Sequence, residues 1–223
     1  MVLCALIAAF NEEAHVADVV RGTAPYASRV IVVDDGSTDG TGARARDAGA
    51  IVIRHQRNLG KGCAIRAGLS QALTQECSHV LFLDADLQHD PREIPLLVER
   101  AKYGAGDFVI GEREFRKDAM PAARYYANVI GSAALSRFIG ARVMDSQSGF
   151  RLIRADLLRD LPLTAKGYEI ETEMLIKLVR VGAVLERVTV RRLRYAGARS
   201  KVHQFRDTFR TCLLAVRYRY LAG

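Results

Sequence analysis

Tryptophan is absent from the 223 residues, proline occurs five times and cysteine four times. Cys4, Cys63, Cys77 and Cys212 stand far apart, without the paired spacing of a zinc module or the density of a disulfide scaffold. Such sparse cysteine use fits a reducing, cytosolic setting. No stretch approaches the ~20 apolar residues that cross a bilayer, so the chain is expected to carry no membrane anchor of its own. The opening run Val2 to Phe10 is too short for a leader and reads as a first strand. Internal repeats, low-complexity tracts and Pro/Gly/Ser linkers are also missing, which argues for one catalytic-sized domain over 1–203. Acids all but vanish at the end: Arg187, Arg191, Arg192, Arg194, Arg199, Lys201, Arg206, Arg210, Arg217 and Arg219 face only Asp207, so nearly the whole +8 excess sits there.

Apolar strand runs at 3–9, 29–33, 50–53, 79–83 and 107–111 alternate with helical stretches near 12–22, 39–48, 62–75 and 91–102. This rhythm predicts an α/β fold, a mostly parallel sheet covered by helices. After residue 112 the pattern loosens; Arg113, Arg116, Lys117 and Arg124 flank an irregular stretch, and Tyr125 to Ile139 reads as a helix.

Acids cluster where strands end. In Leu83-Asp84-Ala85-Asp86-Leu87-Gln88-His89-Asp90-Pro91, side chains two apart on extended chain point the same way, ~6.5–7 Å apart at Cα. Asp84 and Asp86 can therefore share one hard divalent ion, Mg²⁺ or Mn²⁺, with the Gln88 amide oxygen beside them and His89 as a softer neighbour. The plainer reading is that these aspartates cap turns and the helix opened by Pro91. Asp34 and Asp35 close the second strand, and Gly36-Ser37-Thr38-Asp39 turns the chain into a helix that Ser37 or Asp39 would cap. Open α/β sheets bind ligands in the crevice at such strand ends, where a carboxylate can accept from a guanine or uracil N–H. Phe10-Asn11-Glu12-Glu13 ends the first strand, and Arg57-Asn58-Leu59-Gly60-Lys61-Gly62 is a glycine-flanked basic turn before a helix. Neither a P-loop nor a dinucleotide fingerprint fits these glycines.

Taken in order, Asn-Glu-Glu at 11–13, Val-Asp-Asp-Gly-Ser-Thr-Asp-Gly-Thr at 33–41, Asn-Leu-Gly-Lys-Gly at 58–62, Asp-Ala-Asp-Leu-Gln-His-Asp-Pro at 84–91, Gln147-Ser148-Gly149-Phe150-Arg151 and Gly-x-x-Ser-Lys at 197–201 resemble family 2 glycosyltransferases of the GT-A fold. Within that family they look most like the dolichyl- or polyprenyl-phosphate mannosyltransferases. Two places depart from the pattern. Ala8 and Phe10 stand where the subfamily has Pro and Tyr, and Gly197-Ala198-Arg199-Ser200-Lys201 replaces Gly-Glu-Ser-Lys.

The resemblance implies a GT-A fold with a Rossmann-like nucleotide-binding half. Its donor-binding residues would be Ala8, Phe10, Glu12, Val33, Asp35, Lys61, Asp84, Ala85, Asp86, Arg194 and Lys201, and its metal ligands Asp84, Asp86 and Gln88, holding Mg²⁺ or Mn²⁺. Asp84, Asp86, Arg113 and Arg124 would be catalytic, the two arginines gripping a lipid phosphate, although ordinary salt bridges would use them equally well. The implied reaction moves mannose from GDP-mannose to a polyprenyl or dolichyl phosphate, inverting the anomeric centre. UDP-glucose or UDP-GlcNAc is the alternative donor, to the same or a soluble hydroxyl acceptor, and a non-catalytic anion- or RNA-binding module the remote one. A phosphate acceptor is already largely ionised, its second pKa being ~6, and needs no dedicated base. A hydroxyl acceptor would turn attention to Glu169, Glu171 or Glu173, which otherwise place negative charge at a helix start.

Processive synthases on the same fold use Gln-x-x-Arg-Trp, and a chain without tryptophan is not one of them. A nucleotidyltransferase would carry a glycine-rich basic loop where Phe10 to Glu13 stand. Within 204–223, Phe205, Phe209, Cys212, Leu213, Val216 and Tyr220 recur at helical spacing between arginines. That pattern suits a basic amphipathic helix on an anionic membrane surface, on a separate membrane-anchoring protein, or docked on its own domain. The expectation is a peripheral protein of the cytosolic membrane face. A nucleic-acid partner is set aside because it leaves the aspartates unexplained.

Overall fold

The computed structural model describes residues 1–74, 76–104, 106–113, 122–191 and 193; within 122–128 only Tyr126 has a described side chain. Its elements run β1 Leu3–Ala9, α1 Val16–Thr23, β2 Arg29–Asp34, α2 Thr41–Asp47, β3 Ile51–Arg54, α3 Lys61–Leu73, β4 His79–Asp84, α4 Ile94–Tyr103, β5 Phe108–Arg113, α5 Ala122–Ile139, β6 Arg151–Arg154, α6 Ala155–Arg159, α7 Ile170–Arg180 and β7 Leu185–Val190. The seven strands form one sheet in the order β3-β2-β1-β4-β6-β5-β7. β6 runs antiparallel to β4 and β5, and the other pairings are parallel.

Side-chain alternation on the buried strands divides the core in two. Cys4 and Leu6 of β1 join Ala64, Ile65 and Leu69 of α3 and Met174, Leu175 and Leu178 of α7 on one face. Ala5 and Ile7 join Val16, Val19 and Val20 of α1, Ala45 of α2 and Ile94 and Leu97 of α4 on the other. The result is the α/β/α sandwich that near-continuous apolar strands demand, since a parallel sheet needs both faces covered.

The first five strands lie within a residue or two of their expected places. α1, expected from residue 12, begins at Val16, because residues 11–15 are committed to another task. Asn11 has φ 51°, the Asn11 N–H donates to Ser37 Oγ (2.9 Å), and the Glu12 N–H donates to Thr41 Oγ1 (2.8 Å). These bonds lash the loop after β1 to the loop after β2. α4 is likewise delayed by a 3-10 turn at Pro91–Glu93, capped by the Asp90 side chain accepting from the Arg92 N–H. The four-residue β6 had no legible pattern of its own. The proposed tail helix at 204–223 lies outside the described residues.

Candidate active site

β1 sits between β2 and β4, and its register sets Ala9 beside Asp34 and Ala8 beside Asp84. The two acidic segments therefore end level on one edge of the sheet. The strand order turns there, with β2 and β3 on one side of β1 and β4 on the other, which is where doubly wound sheets open a ligand crevice.

Asp84, at the end of β4, meets Lys61 Nζ at 2.5 Å, and the same ammonium meets Glu171 Oε1 at 2.5 Å. Lys61 comes from the first turn of α3 and Glu171 from the first turn of α7, so the contact ties both helices to the strand end. Ala8, Lys61, Asp84, Gly149, Arg151 and Glu171 line one cavity. Burial opposes ionising Asp84, but the surrounding charges and hydrogen bonds, Lys61 foremost, together hold the pKa below the ordinary carboxylate value. Asp86 behaves oppositely: burial, then the charge of Asp84, push its pKa up. Gln88 answers part of that charge, its backbone N–H donating to Asp86 Oδ1 (3.0 Å) and its amide nitrogen to Oδ2 (2.6 Å). His89 is buried against Phe150, ring centroids 5.2 Å apart, with no hydrogen-bond partner for either ring nitrogen among the described residues. Burial, reinforced by Arg113, pulls its pKa to about 4, so it is neutral at physiological pH.

Among the described residues no three His, Cys, Asp or Glu side chains converge as a preformed metal cage. Two carboxylates at one strand end, the second pushed toward protonation by the first, nonetheless fit a divalent ion that completes its shell from phosphate oxygens and water. Asp35 is buried at the neighbouring strand end, and its carboxylate accepts from the backbone N–H groups of Leu59 (3.0 Å) and Gly60 (2.8 Å) and sits 2.7 Å from His55 Nδ1. It thereby fixes the basic turn that delivers Lys61. Gly60, at φ 97°, occupies a backbone region that favours glycine. Val33 and Ala85 are buried, while Ala8, Phe10 and Glu12 are partly open at the same edge.

Arg113 closes β5 and forms a two-pronged pair with Asp145, Nε to Oδ2 at 2.6 Å and Nη2 to Oδ1 at 3.0 Å. Asp145 was not singled out in the sequence, because it lies in a loop 32 positions from its partner and no periodicity marks it. In the sequence Arg151 stands out only as the last residue of the Gln147–Arg151 motif. Its guanidinium is buried and donates to the carbonyls of Ser148 (2.7 Å), Ser146 (2.8 Å) and Glu171 (2.5 Å), stitching the 145–150 loop to α7. Glu173 points away from the crevice into a structural role, accepting from the N–H groups of Thr164 and Ala165 and pairing with Lys177 at 2.7 Å. Arg124 stands on α5 with its side chain outside the described residues, and Arg194 and Lys201 lie wholly outside them.

A mixed sheet with its ligand crevice at the β1/β4 switch, an Asp-x-Asp on the rim and helices on both faces is the GT-A architecture of nucleotide-sugar glycosyltransferases. The chain belongs to glycosyl transferase family 2, whose family model matches residues 4–161. It is 33% identical over 183 residues to glycosyltransferase AglJ of Haloferax volcanii, covering 81% of this chain and 59% of that protein. It is 32% identical over 174 residues to an undecaprenyl-phosphate mannosyltransferase of Micrococcus luteus, covering 73% and 71%. Glucosyl-3-phosphoglycerate synthase of Mycobacterium tuberculosis, crystallised with Mn²⁺ and UDP-glucose, superposes with a TM-score of 0.77 at 26% identity, over 98% of this chain and 78% of that one.

Proposed function

We propose that this protein transfers one hexose from a nucleotide diphosphate donor to a polyprenyl phosphate, with GDP-mannose as the donor and inversion at the anomeric carbon. The observation that carries the reading is the register that ends Asp84 of β4 and Asp34 of β2 against neighbouring residues of β1, with Asp35 next in the chain, which gathers the acids at one edge of the sheet. Asp84 and Asp86, with Gln88, would hold Mg²⁺ or Mn²⁺, whose chemistry when bound is to neutralise charge gathering on the departing diphosphate. Asp35 and Glu12 border the nucleotide end, and Lys61 adds positive charge under the diphosphate. Arg113 sits within electrostatic reach of Asp84 and Asp86 and would orient the acceptor phosphate toward the anomeric carbon; Arg124, whose side chain lies outside the described residues, is proposed to share that role. Arg194 and Lys201 would close over the diphosphate.

The acceptor assignment draws on the named relatives and on α5. Ser132 of α5 lies 3.2 Å from Ser146, the neighbour of Asp145, and earlier in the same helix Tyr126, Val129 and Ile130 are exposed. An exposed apolar stretch on the helix that packs against the Asp145 loop would suit a prenyl chain at a membrane surface. Among the described residues no helix is long and apolar enough to cross a membrane.

A second donor reading has its own support: a relative from Methanococcus voltae, 30% identical, is a UDP-N-acetylglucosamine–dolichyl-phosphate N-acetylglucosaminyltransferase, and the mycobacterial synthase was crystallised with UDP-glucose. Thermal unfolding with GDP-mannose, UDP-glucose and UDP-GlcNAc, each with and without Mn²⁺, separates the two. A nucleotide sugar at a hundred times its Kd adds about 2.7 kcal/mol. Stabilisation by GDP-mannose with Mn²⁺ selects the first reading, stabilisation by UDP-sugars the second, and no response to any sugar nucleotide overturns both.

A further inference from the structure

Lys61 is placed between two anions that belong to different parts of the crevice. Asp84 is on the rim where a divalent ion would sit; Glu171 lies beneath, buried, at the start of α7. The position of Glu171 is anchored by its own backbone carbonyl, which accepts from the buried Arg151 guanidinium at 2.5 Å. Arg151 also bonds the carbonyls of Ser146 and Ser148, so this anchor is set by a network independent of Lys61. Glu171 Oε1 faces the ammonium, and Oε2 has no hydrogen-bond partner among the described residues. The Tyr168 ring, centred 5.6 Å from Nζ, walls the other side. The lysine is thus a tethered cation with one fixed partner and one partner that a divalent ion would claim.

We infer that Glu171 is a positioning residue that sets the affinity of the Asp84–Asp86 edge for its divalent ion, by retaining the Lys61 ammonium when Asp84 turns to the ion. This rests on the metal-dependent reading above. An ammonium 2.5 Å from Asp84 Oδ1 repels a divalent ion arriving at the same carboxylate, so ion uptake is favoured when Lys61 withdraws. With Glu171 in place the ammonium gives up Asp84 but keeps a carboxylate that it already contacts. With a neutral amide at 171 the ammonium has Asp84 alone, clings to it, and competes with the ion. Glu171 would thus act through Lys61 and need not touch the ion or the donor.

The test is direct Mn²⁺ titration of the full chain by electron paramagnetic resonance, without nucleotide and then with saturating GDP or UDP, on wild type, E171Q, K61M and E171Q/K61M. The expected result is that E171Q binds Mn²⁺ about tenfold more weakly, the size of one nearby charge in a partly solvated site. Adding K61M to E171Q restores wild-type affinity or better, and in the K61M background E171Q changes affinity less than about twofold. Should K61M alone not fold, the comparison of E171Q with E171Q/K61M carries the test, with thermal melts confirming that both are folded. Unchanged Mn²⁺ affinity in E171Q overturns the proposal. An equal loss with and without Lys61 also overturns it, because Glu171 would then act by its own field. A wild-type protein that binds no Mn²⁺ even with nucleotide overturns the metal-dependent reading together with it, whereas normal wild-type binding with an inert E171Q overturns this inference alone.

Discussion

Asp84 and Asp86 carry the same side chain two residues apart, yet their surroundings push their pKa values in opposite directions. Asp84 has Lys61 against it, while burial, then the charge of Asp84, raises Asp86, with Gln88 as its hydrogen-bond donor. Asp86 is therefore the acid most in need of an added cation. Its replacement, Asp86→Ala, is expected to lower turnover by at least about a hundredfold while leaving the melting temperature within a few degrees, because a like-charge contact is lost along with the ligand. Turnover and thermal melts on the same preparation check both halves. Asp145 is the contrary case. Burial opposes its ionisation, but the Arg113 guanidinium holds its pKa below the ordinary value. Asp145→Asn leaves a buried arginine without its counter-charge, and is expected to cost about 3–5 kcal/mol in urea unfolding. Arg113 itself was legible in the sequence as a basic residue beyond a strand; its partner was not, since nothing local distinguishes one loop aspartate from another.

At the level of elements, the loop that carries Ser146 to Phe150 is packed on the end of β4 closely enough that a side chain at Gly149 would run into the Asp84 carboxylate. Gly149→Ala is expected to displace Asp84 from Lys61, costing about 1–3 kcal/mol in stability and reducing turnover at least about tenfold. Equal turnover in that variant would show that Asp84 tolerates displacement. α7 is anchored by Glu173, fully buried, whose carboxylate joins the helix to the Thr164–Ala165 backbone and to Lys177. Burial raises its pKa, but the bonds from Lys177 and the backbone outweigh this and leave it depressed. A depressed carboxyl contributes stability that is fully present above its unfolded pKa and is lost as pH falls through the folded one. Glu173→Gln is therefore expected to cost about 2–3 kcal/mol at pH 7, and the gap from wild type should shrink as pH is lowered below the ordinary glutamate value of 4.5. Urea unfolding at pH 7 and at pH 3 measures it.

In the whole molecule, the sheet does two jobs that local signals announce only in part. Its β3-β2-β1-β4 half follows the alternation of apolar runs and helices and lies where that alternation predicts. Its other half departs from that order: β5 lies where it was expected, but β6, only four residues long, enters antiparallel between β4 and β5. That insertion sets Phe82 of β4 opposite Arg151, which brings the Gln147–Arg151 motif down beside Asp84. The crevice is thus completed by the half of the chain whose elements were hardest to read.

Local order in the sequence settled which acids end which strands, where the basic turn precedes α3, and that the first half is a parallel α/β unit; these follow from side-chain alternation, turn chemistry and capping within a few residues. Tertiary structure alone decided how the charges are partnered. Lys61 finds Asp84 and Glu171, Arg113 finds Asp145, and Arg151 spends its donors on three carbonyls. Each of these pairings joins residues distant in the chain, and a buried charge takes whichever partner the packed backbone brings within reach.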